Sequence, residues 1–144
     1  MDGDGLTASE SGGGDDDARA RELAISKHDR EASEFDEEYR TLTESGYLAT
    51  AFLLGREKID RIVYRELGRY DRSARILDAG CGTGSQVGEI RDLGFEVSGL
   101  EPASEMRRLA IAANPGVDIR DGSITALPYD DGSFDVVIAL EALR

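Results

Sequence analysis

Arg75-Ile76-Leu77-Asp78-Ala79-Gly80-Cys81-Gly82-Thr83-Gly84-Ser85-Gln86 is the stretch that decides how this chain folds. Ile76 and Leu77 supply a short apolar strand, and Gly80, Gly82 and Gly84 supply a backbone that turns tightly and lies against a ligand with no Cβ in the way. Thr83 followed three residues later by Gln86 matches a capping box, so the spacing predicts a helix that starts there. The unpaired N–H groups and the positive dipole end of that helix face the loop. Such a loop is a place for a cofactor that carries an anionic or polar group.

Past the turn, Val87, Ile90 and Leu93 repeat at helical spacing as far as Gly94, a suitable C-terminal cap. Phe95–Leu100 then reads as a second strand, which completes a right-handed βαβ unit with parallel strands. A dinucleotide fingerprint, Gly-x-Gly-x-x-Gly counted from Gly80 and Gly82, needs a third glycine where Ser85 stands. The match is instead Asp-x-Gly-x-Gly-x-Gly, from Asp78 to Gly84. This closely resembles the first motif of class I S-adenosylmethionine-dependent methyltransferases.

The resemblance assigns roles residue by residue. Asp78 with Gly80, Cys81, Gly82 and Gly84 shapes the pocket for the methionine moiety, with Cys81 contributing its backbone. Glu101, just after the second strand, accepts hydrogen bonds from a ribose diol, and the simpler reading is that Glu101-Pro102 only opens the next helix. Pro102 and Met106 fall in the stretch that lies near the adenine, and Met106, Leu109, Ala110 and Ala113 also form the buried stripe of a helix ending at Asn114-Pro115-Gly116. Val117 and Ile119 offer a third strand. Ser123-Ile124-Thr125-Ala126-Leu127-Pro128 resembles the segment that wraps the adenine, with Ser123 where the family commonly has Asp, so backbone contacts from Ser123 and Ile124 carry that role. Asp130-Asp131-Gly132-Ser133-Phe134-Asp135 then leads into Val136-Val137-Ile138-Ala139-Leu140, an apolar run suited to a central strand covered on both faces. Ala139 and Leu140 sit at its carboxyl end, beside the sulfonium.

Composition narrows the partners. With 30 acidic against 17 basic residues the formal net charge is −13, which repels nucleic-acid phosphate and anionic membrane surfaces. Only Lys27 and Lys58 among the basic residues are lysine, and an acidic, lysine-poor surface is similar to that of proteins working in a high-salt cytoplasm. The single cysteine rules out an intramolecular disulfide and a zinc site of cysteine ligands, which suits a reducing cytoplasm. No secretory signal opens the sequence, and its apolar runs are too short to span a bilayer.

Upstream of the glycine turn the chain changes character twice. Residues 1–17 hold acids, no base and the run Gly12-Gly13-Gly14, so they read as a disordered acidic tail. Residues 18–70 read as helices, the first weakly amphipathic with Leu23, Phe35, Tyr39 and Leu42 as anchors. The second, about Ser45 to Tyr70, places Leu48, Phe52, Ile59, Ile62, Val63, Leu67 and Tyr70 on one face, with Gly55 as a kink or break. Helices ahead of the first strand cover the cofactor pocket in this family, which makes Tyr39, Tyr47 and Arg56 candidate lid residues against a simpler reading as ordinary packing or surface. His28 reads as a surface residue, and no general base is assigned.

The expected fold is α/β, a Rossmann-like parallel sheet in the order 3-2-1-4 with helices before and between the strands. Residues 71–144 would form the S-adenosylmethionine-binding domain of a cytoplasmic protein that transfers methyl to a small molecule. The family's sheet continues past a fourth strand, so the chain reads as incomplete at its C-terminus, supplying the cofactor-binding half. The outer edge of strand four is then open to a second chain or to self-association. Two rivals stay open: a non-catalytic fragment that binds a cofactor or a protein, and a nicotinamide-dependent oxidoreductase, which the Ser85 mismatch disfavours.

Overall fold

A computed structural model describes residues 19, 22, 23, 25, 26 and 47–140, with the backbone alone for 47–53. Helix α1 (Tyr47–Leu67) is followed by β1 (Arg75–Ala79), α2 (Ser85–Asp92), β2 (Glu96–Leu100), α3 (Ser104–Ala113), β3 (Asp118–Arg120) and β4 (Val136–Ile138). The strands form one sheet in the order β3-β2-β1-β4, the expected arrangement, and every pairing is parallel. β1 is central: Ile76 pairs with Val97 on one side and Val136 on the other, and Asp78 with Gly99 and Ile138.

Alternation along β1 divides the core between the two faces of the sheet. Ile76 joins Leu67, Val87, Ile90, Phe95, Val97 and Ile138 in a cluster that α1 and α2 cover, while Leu77 and Ala79 join Leu100 under Ile124, Tyr129 and Phe134. Gly94 (φ 91°) ends α2 in a Schellman arrangement, its N–H on the Arg91 carbonyl at 2.8 Å and the Phe95 N–H on the Ile90 carbonyl at 3.4 Å. Asn114, 2% exposed, locks the glycine turn to α3: its Nδ2 donates to the carbonyls of Gly84 (2.9 Å) and Ala110 (3.0 Å).

Several expectations are corrected. The Thr83/Gln86 capping box is not formed, because Gly84 in a left-handed conformation (φ 83°) is the N-cap and no side chain bonds there. Gln86 is buried instead, taking the inward position with Val87 and Ile90 that Leu93 was expected to share, and Leu93 is exposed at the C-cap. Gly55 does not break α1, which runs through it from Tyr47 to Leu67. The inward stripe of α1 is Arg56, Asp60, Val63, Tyr64 and Leu67, a helical repeat that includes two charges, while Ile59 and Ile62 (47% exposed) face outward and Tyr70 lies beyond the helix. On α3 the last inward position belongs to Asn114, with Ala113 exposed. β4 is three residues long, and Val137 is 54% exposed, so its second face is uncovered among the described residues. Arg19, Glu22, Leu23, Ile25 and Ser26 are helical, and Ile25 packs on Ala103 and Met106. The acidic tail at 1–17, Tyr39, His28 and residues 141–144 lie outside the described residues.

Two glycines of the turn carry different loads. A Cβ on Gly84 would stand 2.6 Å from Asn114 Nδ2 and 2.9 Å from Ala110 Cβ, whereas a Cβ on Gly82 meets nothing within 4 Å, although both have positive φ. Alanine at either site bears the left-handed penalty of about 1–2 kcal/mol, and at Gly84 overpacking adds about 1–3 kcal/mol. Urea unfolding should therefore place Gly84→Ala well below Gly82→Ala in stability; equal losses would mean that the contact with α3 does not constrain the turn.

Candidate functional site

The chain leaves β1 for β2 and β3 on one side and returns to place β4 on the other. In open parallel sheets the crevice at the carboxyl ends of strands, where the order reverses, is where ligands bind. Three loops meet around that end of the sheet: the glycine turn at 80–84, the β2–α3 loop with Glu101 and Pro102, and the segment 121–128 after β3.

Backbone bonds fix the glycine turn. The N–H groups of Gly80 and Cys81 both donate to the Leu100 carbonyl (2.7 and 3.0 Å), and the Gly84 N–H to the Cys81 carbonyl (2.9 Å). Glu101, buried, then joins the first two loops: its Oε2 accepts the Gly82 N–H and its Oε1 the Ala103 N–H, each at 2.9 Å. The Ala103 bond satisfies a donor at the start of α3, so the simple helix-opening role expected of Glu101-Pro102 is present. The Gly82 bond adds a tie that the sequence did not show.

Asp78 is the unusual group. It is 2% exposed, and its Oδ2 has no hydrogen-bond partner. Burial pushes its carboxyl up to about 7, with the charge of Arg56 opposing and that of Glu101 adding to the rise. Arg56 reaches this region from α1, where its Nε donates to Asp60 Oδ1 at 2.9 Å. Gln86 Nε2 is likewise buried and unpartnered. Cys81 turns its Sγ into the space that Gly99 leaves, 2.9 Å from where a Cβ on Gly99 would stand. Burial, then Asp78 and Glu101, push that thiol up to about 12, so it stays protonated and is no nucleophile at neutral pH.

The other expected residues line the second and third loops. Met106 is buried with Ala103 against Leu109 and Ile25. Ser123 Oγ is engaged with Thr125 Oγ1 at 2.9 Å, inside a short turn closed by the Ala126 N–H on the Ser123 carbonyl. Ile124 packs over Leu77 and Leu100. Asp121 is turned to Arg107, 3.3 Å away. Leu140 packs on the α1/α2 side of the core, and Ala139 is exposed beyond β4. Tyr47 is the first residue of α1. Sequence reasoning passed over Asn114, Arg107 and Tyr129, whose hydroxyl donates to the Gly99 carbonyl at 3.3 Å under the Arg120 guanidinium. An asparagine closing an alanine-rich helix was the one signal available for Asn114.

A groove of about 500 Å³ between α1 and α2, lined by Glu57, Asp60, Arg61, Tyr64, Glu89, Asp92 and Leu93, contains none of the residues expected to hold a cofactor. Among the described residues no cluster of His, Cys, Asp and Glu could hold a metal, and no helix is long and apolar enough to cross a membrane.

A family model described as a methyltransferase domain matches residues 77–144. A probable S-adenosylmethionine-dependent methyltransferase of Mycolicibacterium smegmatis is 34% identical over 83 residues, which are 58% of this chain and 32% of that protein. A ubiquinone biosynthesis O-methyltransferase of Methylocella silvestris is 38% identical over 74 residues, 49% of this chain and 29% of its own length. Among solved structures, an S-adenosylmethionine-bound amino pentose methyltransferase from Micromonospora echinaspora aligns with a TM-score of 0.48 at 32% identity, covering 67% of this chain and 42% of that one. The matches span about a third of the length of these curated relatives.

The Asp78 carboxyl sets a pH signature. Its folded value lies above the ordinary 3.8, so its contribution to stability is complete below about pH 4 and is lost as pH rises through about 7. Asp78→Asn keeps a neutral side chain of the same shape. Thermal melts should show wild type losing stability between about pH 4 and 7 relative to Asp78→Asn, and parallel profiles would mean that the carboxyl is not held neutral.

Proposed function

Since the α/β part of this chain belongs to the class I S-adenosylmethionine-dependent methyltransferase family, we propose that it binds S-adenosylmethionine and forms the cofactor-binding part of an enzyme that methylates a small molecule. The observation that carries this reading is the glycine turn: at Gly82 the backbone faces open space beside a buried carboxylate, a cradle that a side chain would fill. The orphaned Oδ2 of Asp78 suits the ammonium group of a methionine moiety, which would favour the charged carboxylate and release its proton.

Asp78, Gly80, Cys81, Gly82 and Gly84 would hold the methionine part. The Glu101 carboxylate, with lone pairs to spare beyond its two N–H bonds, would receive the ribose. Pro102 and Met106 would flank the adenine from one side and the backbone of Ser123 and Ile124 from the other, since the Ser123 hydroxyl is already engaged. Ala139 and Leu140 would close the end of β4. The bound cofactor would supply a sulfonium methyl for direct displacement. The chain's own contribution is then to orient and to exclude water, with no fixed acid or base.

We assign 71–144 to the cofactor-binding unit, 18–70 to a cover ahead of it and 1–17 to an acidic tail, in a cytoplasmic protein. A small acceptor is supported by the relative named for ubiquinone biosynthesis.

Titration calorimetry with S-adenosylhomocysteine tests the cradle. Asparagine tolerates the left-handed conformation of Gly82 (φ 54°), so Gly82→Asn should abolish binding while leaving the circular dichroism spectrum unchanged; unaltered affinity would remove the turn from the site. Glu101→Ala should weaken binding by about 1.5–3 kcal/mol. Because Gly82 and Ala103 also lose a partner, that variant is expected to lose thermal stability as well, and a loss of affinity alone would show the two ties to be dispensable.

A further inference from the structure

Arg107 stands in the first turn of α3, where a positive charge opposes the helix dipole. Its guanidinium compensates by folding back across the helix entrance. Nη1 donates to the carbonyls of Glu101 (2.7 Å) and Pro102 (3.1 Å) and lies 3.3 Å from Asp121 Oδ1. The side chain is only 20% exposed, while that of Asp121 is 71% exposed, so the arginine is the fixed member of the pair. The N–H of Glu101 is meanwhile held by the Arg120 carbonyl at 3.0 Å. The peptide groups on both sides of Glu101 are therefore pinned, one by β3 and one by Arg107. The two carboxylate bonds, to Gly82 and Ala103, leave from a backbone that cannot turn.

We propose, building on the cofactor reading above, that Arg107 is a positioning residue: by tying the β2–α3 loop to the segment after β3 it aims the Glu101 carboxylate at the ribose and fixes the gap between the loops that flank the adenosine. Charge-assisted bonds suit this task, because they are shorter and stronger than neutral ones and one guanidinium serves several acceptors. Nothing in the role requires Arg107 to touch the ligand. Its loss should therefore be read most clearly in discrimination at the ribose, and less in overall affinity.

The test compares S-adenosylhomocysteine with its 2′-deoxy analogue by calorimetry. Wild type should prefer the parent compound by about tenfold or more, the size expected of a hydrogen bond to a charged group. Arg107→Met, which keeps the aliphatic stem and removes every donor, should bring that preference down to about threefold or less. If both affinities fall together and the preference is kept, Arg107 only supports the fold and the proposal is overturned. Should the methionine variant fail to fold, Arg107→Gln keeps a donor for the Glu101 carbonyl but drops the ion pair with Asp121. An intermediate preference supports the role, and a wild-type preference overturns it. A wild-type protein that binds neither compound would sink the cofactor reading itself, whereas binding without ribose discrimination would remove only the aim assigned to Glu101.

Discussion

The structure hangs on the way the exits of β1 and β2 are joined. The Leu100 carbonyl takes the N–H groups of Gly80 and Cys81, and one residue later the Glu101 carboxylate takes that of Gly82. Three successive amides of the glycine turn are thus spent on the end of β2, which leaves the turn no freedom to relax toward the sheet. The left-handed conformations at Gly80, Gly82 and Gly84 follow from this, since only glycine accepts them in series without penalty. Behind the turn Asn114 and Ala110 leave no room for a Cβ at Gly84. A turn between β1 and α2 is thereby tied at three successive amides to the neighbouring strand.

The buried carboxyl of Asp78 belongs to the same economy. An unpartnered polar atom in the interior lowers stability, and folded proteins rarely keep one without a use. Here the burden sits at the mouth of the site, and α1 brings Arg56 to bear on it. A helix lying outside the sheet thereby influences the protonation of a residue on the central strand, through two side chains that the sequence separates by more than twenty positions.

How far the sequence could be read depended on how local each cause was. Strand order and the sites of Asp78, Glu101 and the glycines follow from spacing and from the handedness of βαβ units, both local rules. The capping box failed because Thr83 and Gln86 satisfy a pattern whose geometry the left-handed Gly84 replaces. The face of α1 was misread because Arg56 and Asp60 turn inward toward a charged neighbourhood, while Ile59 and Ile62 do not. An apolar count ranks those residues the wrong way round. Arg107 was invisible for a related reason. Its partners are main-chain carbonyls and an acid on another loop, and no residue pattern announces a carbonyl.

The nesting of Cys81 against Gly99 gives the protein a reporter of its own. This is the chain's single cysteine, its side chain is half-buried in the turn, and a thiol pushed up to about 12 offers almost no thiolate to a reagent. Labelling is then fastest from conformers in which the turn has lifted off β2. The rate at which a thiol reagent consumes the protein becomes a measure of that opening equilibrium, and a ligand that settles in the turn should register as a slower clock without any probe having been attached.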